Sequence, residues 1–538
     1  MVGPQRPPCD AAAIRARPCA EAGAPAGAGW ILAATILGSG MAFIDSTVVN
    51  VALPAIQQGL GASASAAQWV VNGYTLMLGA LVLAGGAAGD RFGRRRVFLL
   101  GIAVFALASA GCAAAPGPVA LVAARAAQGV GGALMVPGSL ALIAASFPEA
   151  ERGRAIGTWA GAGALTTALG PVLGGWLVEA WSWRAVFLLN LPLAAAAAWL
   201  TLRHVPESRD AEAPPLDWFG AAAATVALGA VTYAAVEAGE SGPWDAAVLA
   251  AAAVGVAAAA AFLRHEARTA HPMVPLELFR SATFSGANAL TLLLYAALSG
   301  ALFLLPFELI QLRGYSPAEA GAAFLPFSLL MGLLSRASGG VSRRFGARAP
   351  LVVGPAVSAL GFALLGLSAG RGWPFWWSVL PGMVALGLGM TATVAPLTTA
   401  VMEAADERHA GAASGINNAV ARVAGLLAVA VLGTAALAVQ GFALDRRLAD
   451  AGFAPESRAA VAGARPGFAA VPPVEGLSET ERRAVEAASG DAFLVAYRAV
   501  MLVCAGLALG ASAVAAGTIG PEGRRASPRG AAGRERPA

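Results

Sequence analysis

The chain has 538 residues, of which 57% are hydrophobic and only 12% are charged, and its mean hydropathy is +0.67. A water-soluble fold cannot bury that much apolar surface, so the composition excludes a soluble enzyme or binding domain and predicts an integral membrane protein. The formal net charge of +5 does not indicate a nucleic-acid partner, because the arginines are spread through many loops rather than clustered on one domain.

Apolar runs that are long enough to cross a membrane recur along nearly the whole chain. A run of about 20 residues spans a hydrocarbon core of about 30 Å as a helix. We expect fourteen such helices, centred near residues 31–53, 68–88, 97–114, 119–145, 155–178, 185–202, 217–237, 246–263, 284–307, 318–340, 350–368, 376–400, 412–438 and 493–517. Most arginines of the short loops fall on one side, so the positive-inside rule predicts a multi-pass plasma-membrane protein with both termini in the cytoplasm.

Several chemistries are excluded by residue types that the sequence lacks or scatters. It contains no lysine, so neither a P-loop lysine nor a Schiff-base lysine is available. The four histidines fall in predicted cytoplasmic loops and the four cysteines are scattered, which gives no intramembrane metal site and no disulfide framework. We therefore expect no cofactor, no metal, no nucleotide partner and no enzyme activity.

One acid lies deep within a predicted span. At about 1.5 Å per residue, Asp45 in the first span lies about 21 Å from the inner face, and Arg125 in the fourth lies about 9 Å below the outer face. Because the two distances are counted from opposite faces, both residues lie at the same depth in a core of about 30 Å. Burying either charge alone costs about 3 kcal/mol or more. The two side chains are therefore predicted to meet. Three roles stay open: a carboxyl that takes up a proton when Arg125 moves away, a permanent structural pair, and direct binding of a cationic substrate.

The charged loop between the second and third spans recurs later in the chain. GAAGDRFGRR (86–95) aligns with GGVSRRFGAR (339–348), with Arg343 in place of Asp90. The two copies join spans two and three and spans ten and eleven, so the chain divides into six helices, two extra helices and six more. Parallel halves of this kind are typical of secondary transporters, in which the substrate path lies at the interface of the halves.

Five stretches stand out in chain order: FIDSTVVNVALP (43–54), the loop GAAGDRFGRRR, RAAQGVGGA (125–133) in span four, LGPVLGG (169–175) in span five and WSWRAVFLLNLP (181–192). In this order they resemble signatures of the major facilitator superfamily, and within it the fourteen-helix drug:proton antiporters of the multidrug efflux type. The resemblance covers about residues 30 to 520. It implies an all-α membrane fold of two six-helix halves plus two extra helices. It also implies proton-coupled efflux of amphipathic small molecules, such as drugs and antibiotics, by alternating access.

The predicted division of the chain follows the repeat. It comprises a disordered cytoplasmic lead (1–29), an N-terminal six-helix half (30–203), two extra peripheral helices with flanking loops (204–280), a C-terminal six-helix half (281–520) that contains a long extracytoplasmic loop (442–491), and a cytoplasmic tail (521–538). The expected partners are a small-molecule substrate, protons and the lipid bilayer. The oligomeric state is left open, with a monomer as the expectation.

The loop signature implies a conformational latch, made of Gly86, Asp90, Arg91, Gly93 and Arg94. Its glycines permit close helix approach, and Asp90 at the inner end of span two is placed to pair with an arginine or a helix N-terminus. Such a contact forms in one conformation and breaks in the other. The alternative is that the arginines only anchor the topology, and the loss of the acid in the second copy argues against a symmetric latch.

The fifth span implies a gate helix with Gly170, Pro171 and Gly174 at its centre. Gly170 and Gly174 are spaced by four, as are Gly157 and Gly161, so both pairs permit tight helix packing, while Pro171 removes a backbone hydrogen bond and favours a bend. Close packing here would seal one side of the cavity against proton leak. The alternative is ordinary helix packing, because such spacing is common in membrane proteins.

Weaker candidates for the substrate cavity are aromatic and amide side chains in the predicted spans. They are Phe43, Asn72, Tyr74, Trp159, Asn288, Asn417 and Asn418. The amides either hydrogen-bond a substrate or only bond neighbouring helices. Glu308 is predicted to lie at the outer rim as a solvated edge residue.

Two other functions stay open. One is a dedicated exporter of a single metabolite, such as an antibiotic that the cell makes itself. The other is a membrane enzyme or sensor that uses a transporter scaffold, which requires a catalytic cluster or an appended domain that the sequence does not show.

Overall fold

The computed structural model describes residues 27–210, 215–334, 346–370, 372–405, 410–464, 467–469, 474 and 477–520. Within these ranges the chain is all-helical, and fourteen helices are long and apolar enough to cross a membrane. The predicted all-α class and number of spans are confirmed. Most of the predicted lead, the tail and residues 335–345 of the second loop copy, with Arg343, lie outside the described residues.

The fourteen helices are numbered in chain order, with a break at Leu189 inside α6 and a π-helical turn, Glu308–Leu312, at the end of α9. Their bounds are α1 Ala28–Leu60, α2 Ala64–Phe92, α3 Arg94–Ala114, α4 Pro118–Ser146, α5 Glu149–Ala180, α6 Ala185–His204, α7 Trp218–Ser241, α8 Ala246–Glu266, α9 Ala282–Phe307, α10 Pro317–Leu334, α11 Arg348–Leu367, α12 Leu380–Glu403, α13 Ala410–Asp450 and α14 Glu479–Thr518. The face that holds the α1–α2 turn is called the outer face, after the predicted orientation, and the opposite one the inner face.

Glycines bring helices of each half into backbone contact. A Cβ atom at Gly85 of α2 would overlap the carbonyl group of Ala133 in α4. Gly101 makes a similar contact between α3 and α4, and Gly354, its equivalent in the second copy, makes one between α11 and α12. Lipid supplies no hydrophobic force between helices, so close backbone approach is what holds such pairs together.

The two halves meet along a seam between α2 and α13. The helices run antiparallel there, with Gln68 against Gly433 near the outer face and Leu83 against Gly415 near the inner face. The seam therefore extends along most of the membrane-spanning length of both helices.

The two extra helices differ in their placement. The extra helix α8 packs mainly on α7 and is mostly exposed, so it is peripheral, as predicted. The extra helix α7 is not peripheral, because it packs against both α2 and α13 and so covers the seam. Small residues make this contact possible: a Cβ atom at Gly239 would lie 2.9 Å from Thr434 of α13.

The predicted outer loop 442–491 is largely helical. The helix α13 continues to Asp450, a short helix follows at Pro455–Gly463, and α14 begins at Glu479. Apolar side chains of these elements form a small separate cluster of Leu444, Leu448, Val461, Val485 and Ala492. The described part of this segment thus gives the C-terminal half a small helical cluster at the outer face.

Candidate functional site

Asp45 and Arg125 form an ion pair inside the N-terminal half. Arg125 Nη1 donates to Asp45 Oδ2, and the side chains of Arg125 and Asp45 are 1% and 0% exposed, respectively. The predicted meeting of the two residues is therefore confirmed. Their roles stay predictions, because the pair itself fits each of the three that the sequence leaves open.

Further donors surround the Asp45 carboxylate. Gln128 Nε2 of α4 donates to Oδ1 at 2.8 Å, and Asn190 Nδ2 of α6 donates to the same oxygen at 3.1 Å. Ser109 Oγ of α3 accepts from both amides at 3.3 and 3.0 Å and donates to the carbonyl of Phe187 at 2.9 Å. Together with Arg125, the amides give the carboxylate three buried donors, which is what a negative charge requires away from water.

Arg125 is held in one orientation. Its Nε donates to the carbonyl of Val70 at 3.0 Å, and its Nη1 donates to Gln128 Oε1 at 2.7 Å. Its Cζ lies 4.4 Å from the ring centroid of Tyr74, in a cation–π contact. Displacement of the guanidinium therefore breaks its bonds to α1, to α2 and to Gln128 of its own helix at once.

Sequence reasoning missed Gln128, Asn190 and Ser109. A signal existed for Gln128, which lies three residues after Arg125 and so shares its helix face. Nothing marks Ser109, because hydroxyls in membrane helices commonly bond to their own backbone, as Thr35 does here with the carbonyl of Ile31.

The predicted latch loop contains the expected acid–arginine pair. Arg94 Nε and Nη2 both lie 2.8 Å from Asp90 Oδ1. The two side chains are 22% and 40% exposed, respectively, so the pair contributes at most about 1 kcal/mol to stability. Gly86 packs against Pro137 of α4, and Arg91 is exposed. A change of partner during transport stays a prediction.

The segment after α6 closes over this loop, which the sequence did not predict. Arg94 N–H donates to the carbonyl of Ser208 at 2.9 Å. Glu207 Oε1 accepts from Arg95 N–H at 3.1 Å in the first turn of α3, where the helix dipole favours a carboxylate. The linker to the extra helices is thus tied to the latch loop.

Gly93 is the residue of this loop that tolerates substitution least. Its φ is +110°, and a Cβ atom would lie 2.8 Å from Glu207 Oε1. Gly93→Ala is expected to destabilise the protein by about 1–3 kcal/mol, measured as a lower thermal unfolding midpoint in detergent. Gly153→Ala on α5, where no atom lies within 4 Å, should raise the midpoint or leave it unchanged. Equal midpoints for the two variants would contradict this account of the turn.

The predicted gate helix α5 is clamped between α1 and α10. Cβ atoms at Gly170 and Gly174 would overlap or crowd Thr47 and Val48 of α1. Pro171 has no N–H to offer the carbonyl of Thr167, and Thr47 Oγ1 lies 3.4 Å from that carbonyl as a donor. The predicted tight packing at Gly170 and Gly174 is thus present, within the N-terminal half.

The contact between the halves involves a neighbouring glycine. A Cβ atom at Gly175 would overlap the carbonyl of Pro317 in α10, and one at Gly321 of α10 would overlap the carbonyl of Pro171. Glu179 Oε2 of α5 also accepts from Ala318 N–H at 3.1 Å. The two halves are therefore in backbone contact at the outer ends of α5 and α10.

The prediction of tight packing at Gly157 and Gly161 is wrong in this conformation. No atom of the described residues lies within 4 Å of a Cβ atom built at either position. Both glycines lie on the face of α5 that turns away from α1, because Trp159, between them, donates to Ser39 of α1, and Gly163 faces Phe43. The spacing alone could not distinguish the packed face of α5 from the open face.

The aromatic candidates separate into two groups. Phe43 and Trp159 are half-buried, with ring centroids 5.9 Å apart in an edge contact, and Trp159 Nε1 donates to Ser39 Oγ at 2.7 Å. Their place in the wall of a substrate cavity stays a prediction. Tyr74 does not fit such a wall, because it is 1% exposed, its ring lies on Arg125 and its hydroxyl donates to the carbonyl of Ala42.

Two of the four amide candidates, Asn288 and Asn417, bond to each other across neighbouring helices. Asn417 Nδ2 of α13 donates to Asn288 Oδ1 and Thr291 Oγ1 of α9, at 3.1 and 2.7 Å. Asn72 is fully buried, on the face of α2 that turns toward α13. Asn418 is exposed and donates to a carbonyl of its own helix. Of the four, only Asn418 faces open space in this conformation.

The prediction that Glu308 is a solvated edge residue is wrong. Glu308 is 1% exposed and forms an ion pair with Arg313 at 2.7 Å, which is 4% exposed. Arg313 also donates to Ser378 Oγ at 2.7 Å and to the carbonyl of Ser368 at 3.2 Å. The π-helical turn folds Arg313 back onto Glu308. Counting residues along α9 predicts the outer position of Glu308, but it does not predict that Arg313 is its partner.

The sequence of the chain is similar to a family model and to several named proteins. The model of the Major Facilitator Superfamily matches residues 35–429. The chain is 38% identical over 408 residues to the multidrug resistance protein Stp of Mycobacterium tuberculosis (strain CDC 1551 / Oshkosh), covering 75% of each chain. It is 37% identical over 406 residues to the tetracenomycin C resistance and export protein of Streptomyces glaucescens, covering 75% and 74%. It is 34% identical over 422 residues to the drug efflux pump JefA of M. tuberculosis (same strain), covering 78% and 82%.

Solved structures share the fold. A bacterial homologue of the human lysosomal transporter Spinster, in an inward-facing conformation, aligns with a TM-score of 0.65 and 16% identity, covering 91% of this chain and 98% of that one. A POT family transporter in complex with a thioalcohol-conjugated peptide aligns with a TM-score of 0.60 and 15% identity, covering 76% and 90%. At these identities the similarity concerns the fold alone.

Proposed function

The chain belongs to the major facilitator superfamily, and from that premise we propose that it exports amphipathic small molecules across the cytoplasmic membrane in exchange for protons. Relatives that are named as multidrug resistance, antibiotic export and drug efflux proteins support the direction and the substrate class. The buried pair of Asp45 and Arg125 is the observation that carries the proton coupling.

Protonation of Asp45 and release of Arg125 are linked. While Arg125 donates to the Asp45 carboxylate, the positive and negative charges of the pair compensate each other inside the N-terminal half. A proton on Asp45 removes the negative charge and leaves Arg125 without a counter-charge, which favours a conformation in which the guanidinium has found another partner or water. The proton therefore binds more tightly in one conformation than in the other, and by linkage it drives the change.

The substrate surface is proposed to begin beside this pair. Phe43 lies two residues before Asp45 on α1, and with Trp159 of α5 it presents half-buried aromatic rings near the inner half of the gate helix. Aromatic walls with few polar groups bind amphipathic molecules of varied shape. Substrate contact here and protonation of Asp45 would thus act on the same two helices.

The places where the halves touch support the proposed alternating access. Backbone contact joins α5 and α10 at the outer ends, whereas no described residue fills the space beside Gly157 and Gly161 in the inner half of α5. We assign this conformation to the inward-open state, with both termini in the cytoplasm and one chain holding the complete path. Separation of α5 from α10 at the outer end would then open the path outward.

Reconstitution tests the function directly. Purified protein in liposomes with an acidic interior should release luminal protons when an amphiphile is added, and a luminal pH dye reports the release. The panel consists of a lipophilic quaternary ammonium cation, a neutral amphiphile and an anionic one, and protein-free liposomes give the passive background.

The pattern of responses decides between export functions. Release with several panel members supports a broad drug:proton antiporter. Release with one panel member alone supports a dedicated exporter, a function that the name of the tetracenomycin relative also suggests. If no panel member triggers proton release from liposomes whose protein content has been confirmed, the result would contradict the proposed antiport.

A further inference from the structure

Arg422 of α13 is a charged side chain near the middle of the membrane that the proposed proton coupling does not use. It packs against α2, because a Cβ atom at Gly79 would lie 3.2 Å from Arg422 Cβ. Counted from Leu60, the end of α1, and from Ala64, the start of α2, Asp45 and Gly79 are equally far along their helices. Arg422 therefore lies at about the depth of Asp45.

The charge of Arg422 is not compensated within the described part of the chain. No described carboxylate or carbonyl accepts a hydrogen bond from its guanidinium, and the side chain is only half-buried. By contrast, Asp45 and Glu308 are each at most 1% exposed and are paired with Arg125 and Arg313. An ion without a counter-charge at this depth is costly and usually serves binding or transport, so Arg422 indicates a ligand with a negative charge.

Arg422 is directed toward the core of the transporter. The hydroxyl groups of Tyr74 in α2 and Tyr295 in α9 both lie within the range of its charge, and Tyr74 is buried beside the central ion pair. A Cβ atom at Gly425, three residues after Arg422, would lie 3.0 Å from Ser299 Oγ of α9. Arg422 is therefore placed between α2 of the N-terminal half and α9 of the C-terminal half, where a substrate path is expected.

Neutral donors and apolar rings lie at a similar depth. Asn418 precedes Arg422 by one helical turn and is exposed. Tyr295 is half-buried, and no described residue bonds its hydroxyl group. In the N-terminal half, the half-buried rings of Phe43 and Trp159 contact each other. A molecule that joins an acidic group to an apolar ring system can use both the polar and the aromatic surface.

We propose that Arg422 binds the acidic group of the exported molecule, so that the preferred substrates are amphipathic organic anions. This inference rests on the proposed export function and narrows its substrate class. The planar guanidinium can donate two parallel hydrogen bonds to an anionic group, and Asn418 and Tyr295 supply neutral donors beside it. The apolar part of the substrate packs toward Phe43 and Trp159.

Three fluorescent probes that share one ring system test the site on the purified full chain. They are anthracene sulfonate, anthracenemethanol and anthracenemethyl-trimethylammonium, and neither charged probe can carry a proton by itself. The unchanged chain should bind the sulfonate most tightly. Arg422→Gln should weaken sulfonate binding about 10- to 100-fold and leave the alcohol unaffected, because hydrogen bonds between charged groups are the stronger ones.

Two further variants serve as controls for this effect. Arg422→Lys keeps the charge but loses the paired donors, so its affinity for the sulfonate should lie between those of the unchanged chain and Arg422→Gln. Arg446→Gln changes an exposed arginine near the outer end of the same helix and should bind all three probes like the unchanged chain. The thermal unfolding midpoint of Arg422→Gln should be unchanged or higher, because the variant removes an ion without a counter-charge.

Three results would overturn the anion site. They are sulfonate binding by the unchanged chain that is absent or no tighter than alcohol binding, normal sulfonate binding by Arg422→Gln, and equal weakening of all three probes in that variant. The liposome assay separates this inference from the export function. Proton release with the alcohol or the ammonium probe but not with the sulfonate would support antiport and refute the anionic class. Arg422-dependent sulfonate binding without proton release by any probe would support the site and refute the antiport.

Discussion

Asp45→Asn is expected to reduce substrate-triggered proton release in liposomes to the level of protein-free vesicles. Asparagine keeps the size and most of the hydrogen bonds of the side chain but has no proton to exchange. The change also leaves Arg125 buried without a counter-charge, since both side chains are at most 1% exposed. Loss of one partner of a buried pair costs about 3–5 kcal/mol, so the thermal unfolding midpoint should fall as well.

The double variant Asp45→Asn with Arg125→Gln separates the two effects. Removing both charges removes the unpaired ion, so the unfolding midpoint should recover most of the loss. Proton release should stay at background, because the exchangeable group is still missing. A double variant that recovers both stability and coupling would show that the pair is structural and that protons take another path.

A matched control exists in the other half. Glu308 and Arg313 form an ion pair of similar burial in α9 and the turn that follows it. Glu308→Gln should lower the unfolding midpoint by a similar mechanism, yet leave proton release per folded molecule largely intact. Equal loss of coupling in Glu308→Gln and Asp45→Asn would mean that any buried charge defect stops transport.

The depth of the central pair can be predicted from the sequence, but its surroundings cannot. The rise of a helix is fixed, so counting residues is enough to put Asp45 and Arg125 at one level in the membrane. The rotation of each helix about its axis is set by packing with its neighbours, and the sequence does not state it. Ser109 and Thr35 look alike in the sequence, yet only Ser109 turns toward the carboxylate.

The same limit explains the errors in the C-terminal half and the gate. Counting residues gives the correct position of Glu308 along α9. The pattern of apolar residues does not predict the π-helical turn, and this turn is what brings Arg313 onto Glu308. Similarly, the small-residue spacing in α5 predicts packing along its whole length. Only the positions of α1 and α10 decide that Gly174 is packed and Gly161 is open.

Gly175→Ala is expected to hold the outer ends of α5 and α10 apart and to reduce drug export. The new Cβ atom would overlap the carbonyl of Pro317 and lie 2.9 Å from Ala318 Cα, and backbone atoms cannot rotate out of the way. Overpacking of this kind costs about 1–3 kcal/mol. Because the contact lies between the halves, that cost falls on the closed outer state alone and shifts the equilibrium by about 5- to 150-fold.

Spin labels at the outer ends measure the shift. Trp181→Cys at the end of α5 and Trp376→Cys in the C-terminal half are both exposed, and the native cysteines are replaced for this experiment. The population with a long distance between the labels should increase in Gly175→Ala. Gly321→Ala should give the same result, since it meets the carbonyl of Pro171 from the opposite side.

Other glycines of α5 distinguish a gate from ordinary packing. Gly161→Ala has open space around it and should change neither the distance nor export. Gly170→Ala meets Thr47 within the N-terminal half, so it should lower the unfolding midpoint without favouring the open outer state. If Gly170→Ala and Gly175→Ala shift the label distance equally, the glycines serve only to pack α5, and the outer contact with α10 is not what closes the path.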